Sequence, residues 1–330
     1  MERVTKLIFP QNHSVQKVLT EKQRYLKAEG SAGQLDWMNL KRSDGEDDTL
    51  PGKVDFSWEC EETESLFELA ENAAFDGARV IRTQETHISI GNLKMDQAYY
   101  WRVNGGEAFS FRTEDAAPRW IEVGGVSNVR DIGAWRTKSG KKIRQGLLFR
   151  GGELNEHMFV TEQGLRTLRE ELGIRTDLDL RGEAVGKTTE SPMGADVNFQ
   201  LISTVAYGDF FKEEQQETCR RLFSVLAEQK NYPMYFHCWG GADRTGTLAL
   251  MLQAILGAYE EDMLLDYELT SLSIWGPRKR TDEWFQPLLE ALDRYGNAED
   301  SMNKKAENFL LSCGVTPEQI ASIREIFLEE

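Results

Sequence analysis

The chain has 330 residues, a mass of 37.7 kDa and a formal net charge of −16. A field of that sign repels polyanions, which argues against nucleic acid as a partner and against an anionic membrane surface. No run of 18 apolar residues occurs, so no membrane span is expected, and residues 1–9 lack the pattern of a signal peptide.

The length suggests two domains. Residues 1–47 are the least patterned, with a possible helix over 21–30 and a loop over 41–48. From there to about 115 the grammar is β. Residues 54–60, 66–69, 86–90, 99–103 and 108–112 alternate with period two, and turn residues such as Asn104-Gly105-Gly106 separate the runs. Short strands at this spacing predict an antiparallel β-sandwich. The linker Thr113-Glu114-Asp115-Ala116-Ala117-Pro118 then closes an N-terminal domain of residues 1–117, with its core over about 48–115. From 118 to 330 the pattern is α/β. Residues 174–180 and 234–236 read as buried strands, 213–230 as an amphipathic helix, 245–258 as a Leu- and Ala-rich helix, and 259–330 as mostly helical. Such alternation predicts a largely parallel sheet flanked by helices.

The chemistry is concentrated in His237-Cys238-Trp239-Gly240-Gly241-Ala242-Asp243-Arg244-Thr245-Gly246, placed between a strand and a helix. A thiolate at Cys238 can attack phosphorus if a helix N-terminus and an arginine lower its pKa. The N–H groups of a tight loop can cradle phosphate oxygens, and the small residues Gly240, Gly241 and Ala242 permit the approach. Arg244 can grip two oxygens through its planar fork. Thr245 can offer its hydroxyl to the sulfur, and Gly246 suits close packing at the helix start. Gly241 to Gly246 also opens like a nucleotide-binding loop, but Thr247 stands where that motif needs lysine. A general acid should protonate the leaving oxygen. Asp243, Asp179 and Asp209 are the candidates. Trp239 can stack on an aromatic leaving group or pack beneath the loop. Arg130, Asp131, Arg150 and Arg181 can line the site or form an internal salt-bridge frame. Arg278-Lys279-Arg280 is a small basic run that can meet an anion or lie solvated.

The four cysteines and four histidines are scattered, with no close metal-ligand pair. No metal or organic cofactor is expected, and free thiols suit a reducing, cytoplasmic compartment.

The loop resembles that of the cysteine-dependent phosphatases, in particular the bacterial tyrosine/lipid branch that carries H-C-x-x-G-K-D-R-T-G. Asn128-Val129-Arg130-Asp131-Ile132-Gly133, the segment from Leu147 to Leu154, and Asp177-Leu178-Asp179-Leu180-Arg181 resemble further segments of that branch. Ala242 replaces its usual lysine. The resemblance covers about 118–330. It implies phosphomonoester hydrolysis through a cysteinyl-phosphate, with a phosphorylated protein or small phosphoester as substrate and protein phosphotyrosine preferred. Phosphoinositide or inositol polyphosphate hydrolysis is the alternative within the class. A silent phosphate-binding module and a sulfur-transfer enzyme are the alternatives outside it. The N-terminal half resembles a fibronectin type III module through Trp58, Leu93 and Tyr99-Tyr100-Trp101-Arg102-Val103; its partner is left open.

Overall fold

The computed structural model describes residues 5–31 and 46–330. In chain order the elements begin with β1 (Lys6–Phe9), β2 (Ser14–Gln16), α1 (Glu21–Ser31), β3 (Val54–Glu59), β4 (Ser65–Ala70), β5 (Arg79–Thr83), β6 (His87–Ile90), β7 (Ala98–Val103) and β8 (Phe109–Thr113). They continue with β9 (Arg130–Asp131), β10 (Leu148–Gly151), α2 (Glu162–Arg166), β11 (Thr176–Asp179), β12 (Asn198–Leu201), α3 (Gln216–Leu226), β13 (Met234–His237), α4 (Arg244–Ile255), α5 (Glu260–Leu269), α6 (Gln286–Asp293), α7 (Met302–Ser312) and α8 (Pro317–Phe327). Among the described residues no helix is long and apolar enough to cross a membrane.

The chain divides into two compact units. The first comprises Met1–Thr20 and Pro51–Arg119. It holds a three-stranded antiparallel sheet, β1-β3-β6, and a five-stranded sheet, β2-β8-β7-β4-β5, in which β2 alone pairs in parallel. The period-two pattern puts Val54, Phe56 and Trp58 of β3 on one buried face. Phe56 meets Phe67, Trp101 and Phe111 of the other sheet edge-on, with ring centroids 5.0–5.6 Å apart. The Tyr99 hydroxyl accepts the Lys94 backbone N–H at 2.9 Å. The expected strands appear within a residue or two. β1, β2 and β5 are additional, being short or carrying exposed faces that leave no alternation to read.

The second unit comprises Glu21–Leu50 and Trp120–Glu330. Thus α1 groups with the later residues rather than with the N-terminal strands: it packs on α5, burying Gln23 and Leu26. Most of the loop expected over 41–48 lies outside the described residues. The unit's sheet runs β12-β11-β13-β10-β9, parallel except for the β9–β10 pair. Every residue of β10, β11 and β13 is buried, as both faces of a central parallel strand require. The register sets Gly151 and Asp179 level with His237, so three strands end at one line. The segment expected as one helix over 213–230 is α3 with short 3₁₀ turns on either side. Helix α4 is buried on almost all sides, which explains its uniformly apolar run after Arg244.

Candidate active site

The loop from Cys238 to Asp243 leaves β13 and enters α4 at the C-terminal line of the sheet, the usual place for a ligand in such folds. Cys238 is buried at 2 % exposure. Three successive loop carbonyls are held from outside. The Trp239 carbonyl accepts the Glu153 N–H at 2.9 Å, Gly240 accepts Asn128 Nδ2 at 2.9 Å, and Gly241 accepts Arg150 Nη2 at 2.7 Å. In a trans peptide the C=O and the next N–H point opposite ways. Fixing these carbonyls outward therefore turns the N–H groups of Gly240, Gly241 and Ala242 to the other side, which is how a loop becomes an anion cradle. The two glycines are required sterically. A Cβ at Gly240 would lie 2.9 Å from the Trp275 ring, and one at Gly241, where φ is +65°, would lie 2.4 Å from the Gly151 backbone. Gly246 faces Tyr267, where a Cβ would meet the ring at 3.2 Å.

The arginines behind the loop form a frame. Asp266 of α5 joins Arg130 at 2.9 Å and Arg150 at 2.6 Å, all three fully buried. Burial and the neighbouring Arg130 push the Arg150 guanidinium down to about 10, while Asp266 and a charge on Cys238 favour its charged form. Burial pushes the Asp266 carboxyl up, but the two guanidiniums outweigh this and hold it below its usual range. Asp131 accepts the N–H groups of Gly133 and Gly146. Arg181 grips Asp179 through Nε and Nη2, and reaches Glu153 at 3.3 Å. Glu153 is itself buried and accepts four backbone N–H groups, from Asn155 to Met158. His237 lies 3.0 Å from Asp177 through Nε2. Burial lowers its pKa, but the charges of Asp177 and Asp179 and the Asp177 hydrogen bond together raise it, so the net direction is up.

At the mouth, Arg244 opens α4 and pairs with Glu183 at 2.7 Å. That contact holds the Glu183 carboxyl down at about 2, with a smaller contribution from a Trp239 hydrogen bond. Trp239 is half-buried: the His157 ring lies tilted against it with centroids 4.3 Å apart, and the Arg181 guanidinium lies 5.2 Å from its ring centre. The indole therefore packs as a wall. Asp243 accepts from the Tyr207 hydroxyl and from Arg278 Nε at 2.9 Å, and Tyr207 also meets the Tyr267 hydroxyl at 2.9 Å. Burial first, and then the Asp243 charge, push the Tyr207 hydroxyl pKa well up.

The loop thus gathers Cys238, Asp243 and Arg244. Both oxygens of Asp179 are occupied by Arg181, behind the loop. Asp209 is exposed and paired with Lys212 at 2.8 Å. The Thr245 hydroxyl is buried and makes no hydrogen bond among the described residues, so the expected donation to the Cys238 sulfur is not made in this conformation. Ala242 is buried at 2 % exposure. In the basic run, Arg278 serves Asp243, and Arg280 pairs with Glu268 and Glu261. Glu183, Tyr207 and Asp266 were not singled out from the sequence. Glu183 lies two residues beyond Arg181, which was the one available signal.

The tyrosine phosphatase family, compared by its sequence model, matches residues 121–329. The chain belongs to the tyrosine phosphatase family. A Cupriavidus necator protein named "Putative tyrosine-protein phosphatase" is 31% identical over 166 residues, covering 43% of this chain and 59% of the relative. The chain thus spans about three fifths of that relative's length. The core catalytic domain of the PP-IP phosphatase SIW14 from S. cerevisiae, solved in complex with citrate, aligns at 13% identity with a TM-score of 0.31. That alignment covers 45% of this chain and 83% of that one.

Proposed function

We propose that this chain hydrolyses phosphate monoesters through a cysteinyl-phosphate, with phosphotyrosine in proteins as the preferred substrate. One observation carries the reading: three consecutive loop carbonyls are pinned outward between the buried Cys238 and Arg244 at the start of α4. The N–H groups of Gly240, Gly241 and Ala242 bind the phosphoryl oxygens, and Arg244 leaves Glu183 to clamp two of them. Thr245 and Gly246 close the cradle at the helix start. The Cys238 thiolate attacks phosphorus; the S–P bond forms as the P–O bond to the leaving group breaks. Asp243 gives its proton to the departing oxygen, since it sits inside the loop, whereas Asp179 is the brace of Arg181. Water then attacks phosphorus, Asp243 takes its proton, and the thiolate leaves. Ala242 in place of a lysine, with the net charge of −16, favours a singly phosphorylated group over a polyanionic headgroup.

The first unit is best read as a fibronectin type III-like sandwich, on the Phe56 contacts between its sheets and the Tyr99–Lys94 bond.

The test is Cys238→Ser. Turnover of a chromogenic aryl phosphate should vanish while vanadate still binds, and an acid-quenched wild-type reaction with labelled substrate should trap phosphate on Cys238. Wild-type turnover without a labelled cysteine would overturn the mechanism. Comparing kcat/KM on phosphotyrosine peptides, phosphoinositides and inositol phosphates tests the substrate. A tenfold preference for either inositol class would overturn the phosphotyrosine assignment.

A further inference from the structure

Residues 46–50 lie outside the stretch that matches the family, 121–329, yet they reach the phosphate loop through buried hydrogen bonds. Thr49, 2 % exposed, is the contact. Its Oγ1 donates to Asp47 Oδ1 at 2.5 Å and accepts the Asn128 N–H at 3.0 Å. Asn128 is fully buried, with φ at +66°; its Nδ2 donates to the Gly240 carbonyl at 2.9 Å, and its Oδ1 accepts Arg130 Nη1 at 2.5 Å. The polarity of this chain is fixed at both ends. The Asp47 carboxylate takes the hydroxyl proton, so the hydroxyl oxygen must accept from Asn128. The Asn128 amide must then present its N–H side to Gly240, because Arg130 holds its oxygen.

The segment is anchored on its other side as well. The Asp48 N–H donates to the Leu272 carbonyl at 2.8 Å. Trp275 follows Leu272 by three residues, and its ring packs against Gly240 where a Cβ would sit 2.9 Å away. Gln23 of α1, itself 1 % exposed, donates to the carbonyls of Asp48 and Leu50 at 3.0 and 2.7 Å. The two supports of Gly240, one through Asn128 and one through Trp275, are therefore tied to the same five residues.

We infer that residues 46–50 form a strap that sets the phosphate loop, with Thr49 as a positioning residue acting through Asn128 on the Gly240 carbonyl. This rests on the reading of the loop as a phosphate cradle. When the hydroxyl is absent, the Asn128 N–H is buried without a partner, the hold of Asn128 on the Gly240 carbonyl loosens while the Trp275 contact remains, and the Gly241 N–H shifts from its place at the phosphate.

The test is Thr49→Val in the full chain, with Thr49→Ser as the rescue. Thr49→Val should lower kcat/KM on an aryl phosphate by about tenfold or more, the size expected when a buried N–H loses its partner. The inhibition constant of vanadate should rise by a similar factor. Thr49→Ser should restore both to within about threefold. Asp47→Ala, which frees the hydroxyl to rotate but leaves its oxygen in place, should shift both in the same direction by less. It keeps the test open if Thr49→Val does not fold. Values for Thr49→Val equal to wild type, with only a lower Tm, overturn the strap. So does failure of Thr49→Ser to rescue. If wild type itself turns over no aryl phosphate, it is the phosphatase reading that falls, and vanadate affinity alone then decides the strap.

Discussion

Arg278 Nε lies 2.9 Å from Asp243 Oδ1, while the Tyr207 hydroxyl donates to the same oxygen. Among the described residues Asp243 only accepts, from Tyr207 and Arg278, so proton donation requires these donors to give way. Asp243→Asn should lower kcat on a phosphotyrosine peptide by roughly 10²–10⁴ and have much less effect on an aryl phosphate with a good leaving group. Asp209→Asn should stay near wild type on both. If Asp179→Asn instead shows the leaving-group dependence and Asp243→Asn does not, the acid has been assigned to the wrong carboxylate.

Arg244→Lys keeps the charge and loses the fork. A point ammonium cannot hold two phosphoryl oxygens in one plane. By analogy with the loss of an oxyanion donor, kcat should fall by roughly 10²–10³. A variant within a few-fold of wild type would show that this guanidinium does not meet the transferring phosphate.

Asp266 compensates two buried guanidiniums at once. Asp266→Asn leaves that pair without a counter-charge and should cost about 3–5 kcal/mol in urea unfolding, the range seen when one partner of a buried ion pair is removed. Activity should fall too, since Arg150 carries the Gly241 carbonyl. A loss below about 1 kcal/mol would place the frame in the class of surface pairs.

The raised pKa of His237 gives a pH signature. A group whose folded pKa exceeds its unfolded value of about 6.5 stabilises fully below that value, and the contribution is lost as pH rises through the folded pKa. Wild type should therefore lose stability relative to His237→Gln as pH is raised from about 6 upward. The comparison is Tm against pH for the two proteins. Parallel curves would mean that the Asp177 contact does not hold the ring protonated.

The strand–loop–helix turn that carries Cys238 and Arg244 was legible because β13, the loop and the start of α4 are contiguous in sequence. The α/β grammar of the second unit was legible because β13 is buried on both faces and α4 nearly all round, so each is continuously apolar. Glu183, Asp266 and Thr49 were not, since each acts across 61, 116 or 79 positions of sequence and is an ordinary polar residue in its own segment. The placement of α1 was hidden for a related reason: a short helix that buries Gln23 and Leu26 does not announce which core receives it.

The pairing of Arg244 with Glu183 gives the site a carboxylate of its own. On the function proposed above, Arg244 is the phosphate clamp, and this pairing neutralises it between turnovers, which makes it a poor collector of chloride, sulfate and other stray anions. The same carboxylate is at hand when hydrolysis is complete and competes with orthophosphate for the guanidinium. On the same proposal, product escape is favoured over retention.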